Sequence, residues 1–136
     1  MEPRIIEFNE YGDDRGKLVV AESDANIPFT MRRSFWIYGS DYDTIRGNHA
    51  NVYSEFVLVC VSGSCRVKTV DCHGVLRDYV LDNPLTGLYV PKMTWKEMYA
   101  FSDDAVLLVL ASKPYDATEY IREYDEWESL LANGKK

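Results

Sequence analysis

Two histidines and three cysteines are the whole supply of imidazole and thiolate ligands that these 136 residues offer a transition metal. No zinc-ligand spacing and no Cys-x-x-Cys occurs, which removes cysteine-held metal and thiol exchange as main functions. Cys60 and Cys65 flank the Ser62-Gly63 turn signal and read as buried, reduced thiols in neighbouring strands, while Cys72 sits in a turn beside His73 and Gly74. Cations are also scarce, with 15 Lys and Arg against 22 Asp and Glu and a net charge of −7. Nucleic acid is therefore not an expected partner, because phosphate backbones demand a concentrated basic surface. One phosphorylated small molecule, held by a few local arginines, remains compatible with that charge. No apolar run is long enough for a membrane span, and Met1-Glu2-Pro3-Arg4 lacks the apolar centre of a signal peptide, so a cytoplasmic location is expected. Repeats, low-complexity tracts and linkers are missing as well. The length suits a single domain, 1–136.

What is present points to β structure. Apolar residues make up 46% of the chain and aromatics 13%, including ten Tyr and three Trp. Such side chains suit a pleated, half-buried surface. Candidate strands are Ile5–Phe8, Lys17–Glu22, Arg32–Tyr38, Asn48–Tyr53, Glu55–Val61, Cys65–Val70, Val75–Leu81, Gly87–Val90, Trp95–Phe101 and Val106–Ala111. Turn chemistry separates them, including the stretches Tyr11–Gly16, Asp71–Gly74 and Asp82–Pro84. Many short strands at this spacing predict an all-β sandwich or barrel. The runs Phe56–Val61 and Val106–Ala111 are apolar almost throughout and predict central strands, whereas Cys65–Val70 alternates like a half-exposed one. Near the end the period changes: Tyr120, Ile121, Tyr124, Trp127 and Leu131 recur at helical spacing. Asp116 with Glu119 reads as a capping box, which predicts one C-terminal α-helix over about 116–132 whose aromatic stripe is core.

The stretch Arg46-Gly47-Asn48-His49-Ala50-Asn51 is the one most suited to chemistry. A period of two places His49, Asn51, Tyr53 and Glu55 on one face of a regular strand. The pattern resembles the first cupin motif, with Gly47, His49, Asn51, Glu55 and Gly63 as equivalents. Pro91 with Lys96 resembles the second motif. Metal-binding cupins use histidines where this chain has Asn51 and Lys96. An ammonium group has no lone pair and repels a divalent ion, so no metal and no cofactor is expected. Lys96 is expected to pair with Glu55 instead.

A narrower resemblance covers most of the chain. It is carried by Asp14-Arg15-Gly16-Lys17-Leu18, Asn26-Ile27-Pro28-Phe29, Arg46–Ala50, VLVCVSGSCRV from Val57 to Val67, GLYVPKMTWKEM from Gly87 to Met98, and LLVLASKPYDATEYIREYDEW from Leu107 to Trp127. Together these stretches look like the metal-independent sugar-nucleotide 3,4-ketoisomerases that act on dTDP-4-keto-6-deoxyglucose. The resemblance implies a cupin jelly roll (a double-stranded β-helix) and a homodimer with exchanged strands. It also implies a dTDP-linked 4-ketosugar as ligand and a role in deoxysugar and surface polysaccharide biosynthesis. The reaction would move a carbonyl from C4 to C3 through an enediolate, which needs a base near neutral pKa and donors aimed at the oxyanion.

By position, His49 matches the base, and Arg46 would clamp diphosphate or steady the oxyanion. Arg15, Arg33, Phe35, Glu55, Tyr89 and Lys96 are expected to touch substrate, and Asn51 to stand in the catalytic group. Three departures bear on chemistry: Asn51 replaces a second histidine, Phe35 a tyrosine, and Lys96 a histidine. Asn51 can donate a hydrogen bond but cannot carry a proton. The alternative readings are a non-catalytic sugar-nucleotide-binding cupin and an isomerase or epimerase with altered chemistry.

Overall fold

Residues 1–134 are described by a computed structural model. The strand-forming runs assemble into two five-stranded antiparallel sheets. One sheet holds β1 (Arg4–Glu7), β9 (Thr86–Val90), β6 (Phe56–Ser62), β11 (Val106–Ala111) and β4 (Arg33–Tyr38), side by side in that order. The other holds β12 (Tyr120–Ile121), β5 (Arg46–Asn51), β10 (Trp95–Tyr99), β7 (Cys65–Val70) and β8 (Leu76–Leu81). Successive strands alternate between the sheets over much of the chain, giving the cupin jelly roll with one C-terminal helix, α1 (Tyr124–Gly134).

The periodicities explain the layers. Phe56, Leu58 and Cys60 of β6 face Cys65 and Val67 of β7 and Leu107 and Val109 of β11 in the core between the sheets. The other face of β6, Val57 and Val59, packs with Ile6, Phe8, Ile27, Phe29 and Tyr89. That second cluster buries β6 on both sides, as its unbroken apolar run requires, and β6 and β11 are central strands. β7 alternates buried Cys65, Val67 and Thr69 with half-exposed Arg66 and Lys68. Cys60 and Cys65 are buried free thiols on consecutive strands.

Two regions differ from expectation. The stretch read as a turn at Tyr11–Gly16 contains the strand β2 (Glu10–Asp13), which pairs with β3 (Gly16–Val19) in a separate, exposed hairpin. A polar strand with no buried face leaves no alternation to detect. The helix begins at Tyr124, eight residues later than Asp116. Asp116 does act as a cap, accepting a hydrogen bond from Thr118 N, but for a single 3-10 turn, Ala117–Glu119. Glu119 does not return to close a capping box. Its carboxylate accepts from Tyr53 N at 3.0 Å, Ser54 N at 2.8 Å and Ser54 Oγ at 2.5 Å instead. The turn then runs into β12, which pairs Tyr120 with Asn51 and Ile121 with Ala50. Only after this does α1 close over the outside of the second sheet, where Trp127 is buried against Trp95 and its indole donates to the Met93 carbonyl.

Candidate active site

A cavity of about 260 Å³ lies between the sheets, walled by Phe35 and Ile37 of β4, Phe56 and Leu58 of β6, Met98 of β10 and Val109 of β11. Four polar side chains break this apolar lining: Arg46 and His49 of β5, Lys96 of β10 and Tyr120 of β12.

The sequence Gly47-Asn48 explains how His49 comes to face inward. Gly47 has φ +87° and Asn48 has φ +56°, a left-handed pair at two residue types that tolerate it. The β5–β10 register shifts there, with Lys96 opposite His49 but Glu97 opposite Gly47, so Asn48 is the extra residue of a bulge. Bulges re-aim the side chain that follows them. A side chain on Gly47 would meet the Lys96 carbonyl oxygen at 3.0 Å and Met98 Cε at 3.1 Å. The glycine therefore permits both the backbone turn and the close approach of β10.

Because His49 and Lys96 are directly opposite, their side chains share the inward face. Lys96 Nζ lies 3.3 Å from His49 Nε2 and 3.3 Å from Asn51 Oδ1, and it stands 4.1 Å from the centre of the Phe56 ring. Lys96 is 3% exposed, and among the described residues no carboxylate lies within 4 Å of its nitrogen. Burial disfavours the ammonium, and despite the opposing field of Glu119 the amine is pushed down from 10.5 to about 7, with Arg33 adding to the fall. His49 is lowered to about 3, first by burial and then by the charge of Lys96. The imidazole is thus held neutral in a largely apolar cavity, with a free lone pair to accept a proton but a basicity weakened by burial and by the Lys96 charge, below the near-neutral value expected of the base. The Tyr120 ring sits over it at 4.8 Å between centres.

Arg33 shares its face of β4 with Phe35 and lies between the Phe35 and Tyr115 rings, 5.2 and 5.5 Å from their centres. Its Nε and Nη2 are buried with no hydrogen-bond partner. Such a guanidinium presents an unused fork suited to an anion.

The family model described as "FdtA: WxcM-like, C-terminal" matches residues 1–132. A curated TDP-4-oxo-6-deoxy-alpha-D-glucose-3,4-oxoisomerase of Aneurinibacillus thermoaerophilus is 44% identical over 132 residues, spanning 97% of this chain and 94% of that protein. The chain belongs to this family. Solved members superpose closely. A 3,4-ketoisomerase from Helicobacter canadensis is 38% identical with a TM-score of 0.92, covering 97% of this chain and 98% of that one. QdtA, a sugar 3,4-ketoisomerase from Thermoanaerobacterium thermosaccharolyticum solved in complex with TDP, is 34% identical with a TM-score of 0.93, covering 98% and 96%.

Against the positions expected from the family resemblance, the cavity gathers Arg46, His49, Lys96 and Phe35, with Asn51 bonded to Lys96 behind them. Arg33, Glu55 and Tyr89 do not line it. The regular alternation ends after Asn51, the last residue of β5, so Glu55 does not continue the His49 face. The Glu55 carboxylate accepts a 2.5 Å hydrogen bond from Tyr89 Oη on the border of a different, larger cavity beneath α1, and the expected Lys96–Glu55 pair does not form. Arg15 sits on the exposed hairpin and forks onto Asp13 at 2.8 Å, outside the cavity. Tyr120 was assigned to a helical core stripe by its spacing; β12 turns it into the cavity instead. The Asp-x-Thr cap before it was the available signal. Glu119, whose field acts on both His49 and Lys96, was read only as a cap.

Proposed function

We propose that this chain is a sugar-nucleotide 3,4-ketoisomerase that moves the carbonyl of a TDP-4-keto-6-deoxyhexose from C4 to C3, with His49 as the base. The observation that carries the reading is the His49 imidazole lining the interior cavity of a chain that matches a TDP-sugar 3,4-oxoisomerase and solved 3,4-ketoisomerases along almost its full length. His49 takes the C3 proton, which the C4 ketone acidifies, and the enediolate oxygen develops charge beside Lys96 and Arg46. Phe35, Met98 and the other apolar walls keep water from that intermediate. Arg33 and Arg46 are assigned to the diphosphate, supported by the unpartnered fork of Arg33. Asn51 orients Lys96 rather than moving protons itself.

The reaction is assigned no metal, since the Lys96 ammonium occupies the space between His49 and Asn51 where a cation would have to sit. The whole chain acts as one cupin domain. A homodimer with exchanged strands is supported by the apolar side chains left exposed on β4 and the hairpin, namely Trp36, Tyr38, Tyr11 and Leu18; a monomer in sedimentation velocity would contradict it. Among the described residues no helix is long and apolar enough to cross a membrane. We place the protein in the cytoplasm, where buried free Cys60 and Cys65 stay reduced.

The test is to incubate the protein with TDP-4-keto-6-deoxyglucose in EDTA and follow the sugar by carbon NMR. The expected result is loss of the C4 ketone signal and appearance of one at C3. Recovery of bound but unchanged sugar would overturn the reading in favour of a binding protein.

A further inference from the structure

The carbonyl shift needs more than one proton carrier. A proton must leave C3 and another must arrive at C4, while the hydroxyl proton on O3 must be removed and one placed on O4. An imidazole facing the carbons accounts for the first pair only. Asn51, two residues from His49, cannot take up a proton.

Lys96 is the group placed to handle the second pair. It lines the same cavity as His49, on the adjacent strand, with its nitrogen 3.3 Å from the imidazole. Packing does not call for it: among the described residues no carboxylate lies within 4 Å of its nitrogen, Glu119 acts only from farther away, and burying an ammonium costs stability relative to an apolar residue of the same size. We propose that Lys96 is the second proton carrier of this isomerase, shuttling a proton between the two substrate oxygens while His49 serves the two carbons. The inference rests on the isomerase reading above.

The steps balance without any further reactant. At the start Lys96 is an ammonium and His49 neutral. His49 Nε2 takes the C3 proton; the C3–H electron pair becomes the C3=C4 bond, and the C4=O π pair moves onto O4. Lys96 donates a proton to O4, giving the enediol, and its free amine takes the proton from O3. The O3 pair re-forms a carbonyl at C3 as the C3=C4 pair takes the proton of His49 at C4. Both residues end as they began. The position of Lys96 near 7 suits a group that must give and regain a proton in every turnover. The charged and titratable groups acting on it are His49 from β5, Glu119 from the 3-10 turn and Arg33 from β4.

Two reactions separate the carriers. In heavy water, His49 alone exchanges the C3 hydrogen of recovered substrate, whereas product requires Lys96 as well. Lys96→Met removes both the proton and the charge beside O4 and should lower C3 exchange and product together, whereas Lys96→Arg should lower product formation roughly 100-fold or more, the scale of lost acid–base catalysis, with C3 exchange kept within about ten-fold. TDP affinity by calorimetry should be retained in both. Lys96→Arg keeps the charge but cannot release a proton, so product formation within about three-fold of the parent in that variant would assign Lys96 to charge stabilisation and overturn the proposal. Exchange and product falling in step in Lys96→Arg, with TDP affinity kept, would also overturn it, as would borohydride trapping of substrate on Lys96. If the variants do not fold, the parent enzyme decides: kcat should fall as pH rises past about 7 to 8, and a flat profile to about pH 9.5 would refute the shuttle. A parent that neither exchanges nor converts the sugar refutes the isomerase reading itself, whereas a His49-dependent parent with active Lys96 variants refutes only the shuttle.

Discussion

Replacing Lys96 by methionine should stabilise the protein, and by an amount that depends on pH in a defined direction. Methionine fills nearly the same volume with no polar atom to hydrate, while Lys96 is 3% exposed and has no anionic partner within 4 Å among the described residues. Its amine is lowered from 10.5 to about 7 by burial. Below pH 7 the group is charged in both the folded and the unfolded chain, and the full penalty of burying an ammonium applies. Between 7 and 10.5 only the unfolded chain carries the proton, so the penalty fades as pH rises. The advantage of Lys96→Met over the parent should therefore be largest at pH 6 and smaller at pH 9, by about 2 to 3 kcal/mol at 1.36 kcal/mol per unit. The hydrogen bonds to His49 and Asn51 lost in the variant weaken its absolute gain by about 1 kcal/mol each, and the extra strength they have when the donor is an ammonium is already contained in the shifted pKa. Urea unfolding of both proteins at the two pH values measures this, as a narrowing of the midpoint gap by roughly 1.5 M. A gap independent of pH, or one that widens toward pH 9, would refute the buried, unpaired ammonium.

Other expectations follow from the same geometry. Gly47→Ala forces a side chain into φ +87° and against the Lys96 carbonyl at 3.0 Å; thermal unfolding should show a loss of about 2 kcal/mol, with His49 misdirected and turnover falling at least about ten-fold. An unchanged melting temperature would count against the bulge as the device that aims His49. Arg33→Met removes a fork whose Nε and Nη2 have no protein partner. Calorimetric affinity for TDP should drop by about 2 kcal/mol, roughly 30-fold, and unaltered affinity would place the diphosphate elsewhere.

How much of this was legible beforehand depended on the kind of signal. Apolar runs are set by burial, so β6 and β11 could be read as central strands and β7 as a half-exposed one. His49 stood out by its place after Gly47 in a cupin-like motif, whereas the bulge at Asn48 that aims it was not foreseen, since the stretch was read as a regular strand. Glu55 lies off the His49 face because period-two reasoning assumes an unbroken strand, and β5 ends at Asn51. Tyr120 and Glu119 were misread for a related reason. A 3-10 turn followed by a two-residue strand carries the same short-range spacing as a helical turn, and only pairing with β5 tells them apart. The partner of Lys96 was beyond local pattern altogether, since 47 residues separate it from His49 and a sheet register brings them together.

The most direct test of the central claim is proton NMR of TDP-4-keto-6-deoxyglucose turned over in heavy water by the parent protein and by His49→Gln. The account predicts a 3-keto product from the parent, with deuterium at C4 in each turnover where His49 exchanges its proton with solvent before returning it, and neither product nor C3 exchange from the variant, which should still bind TDP. Product from His49→Gln at the parental rate, or a parent that binds the sugar and forms no 3-keto product, would contradict it.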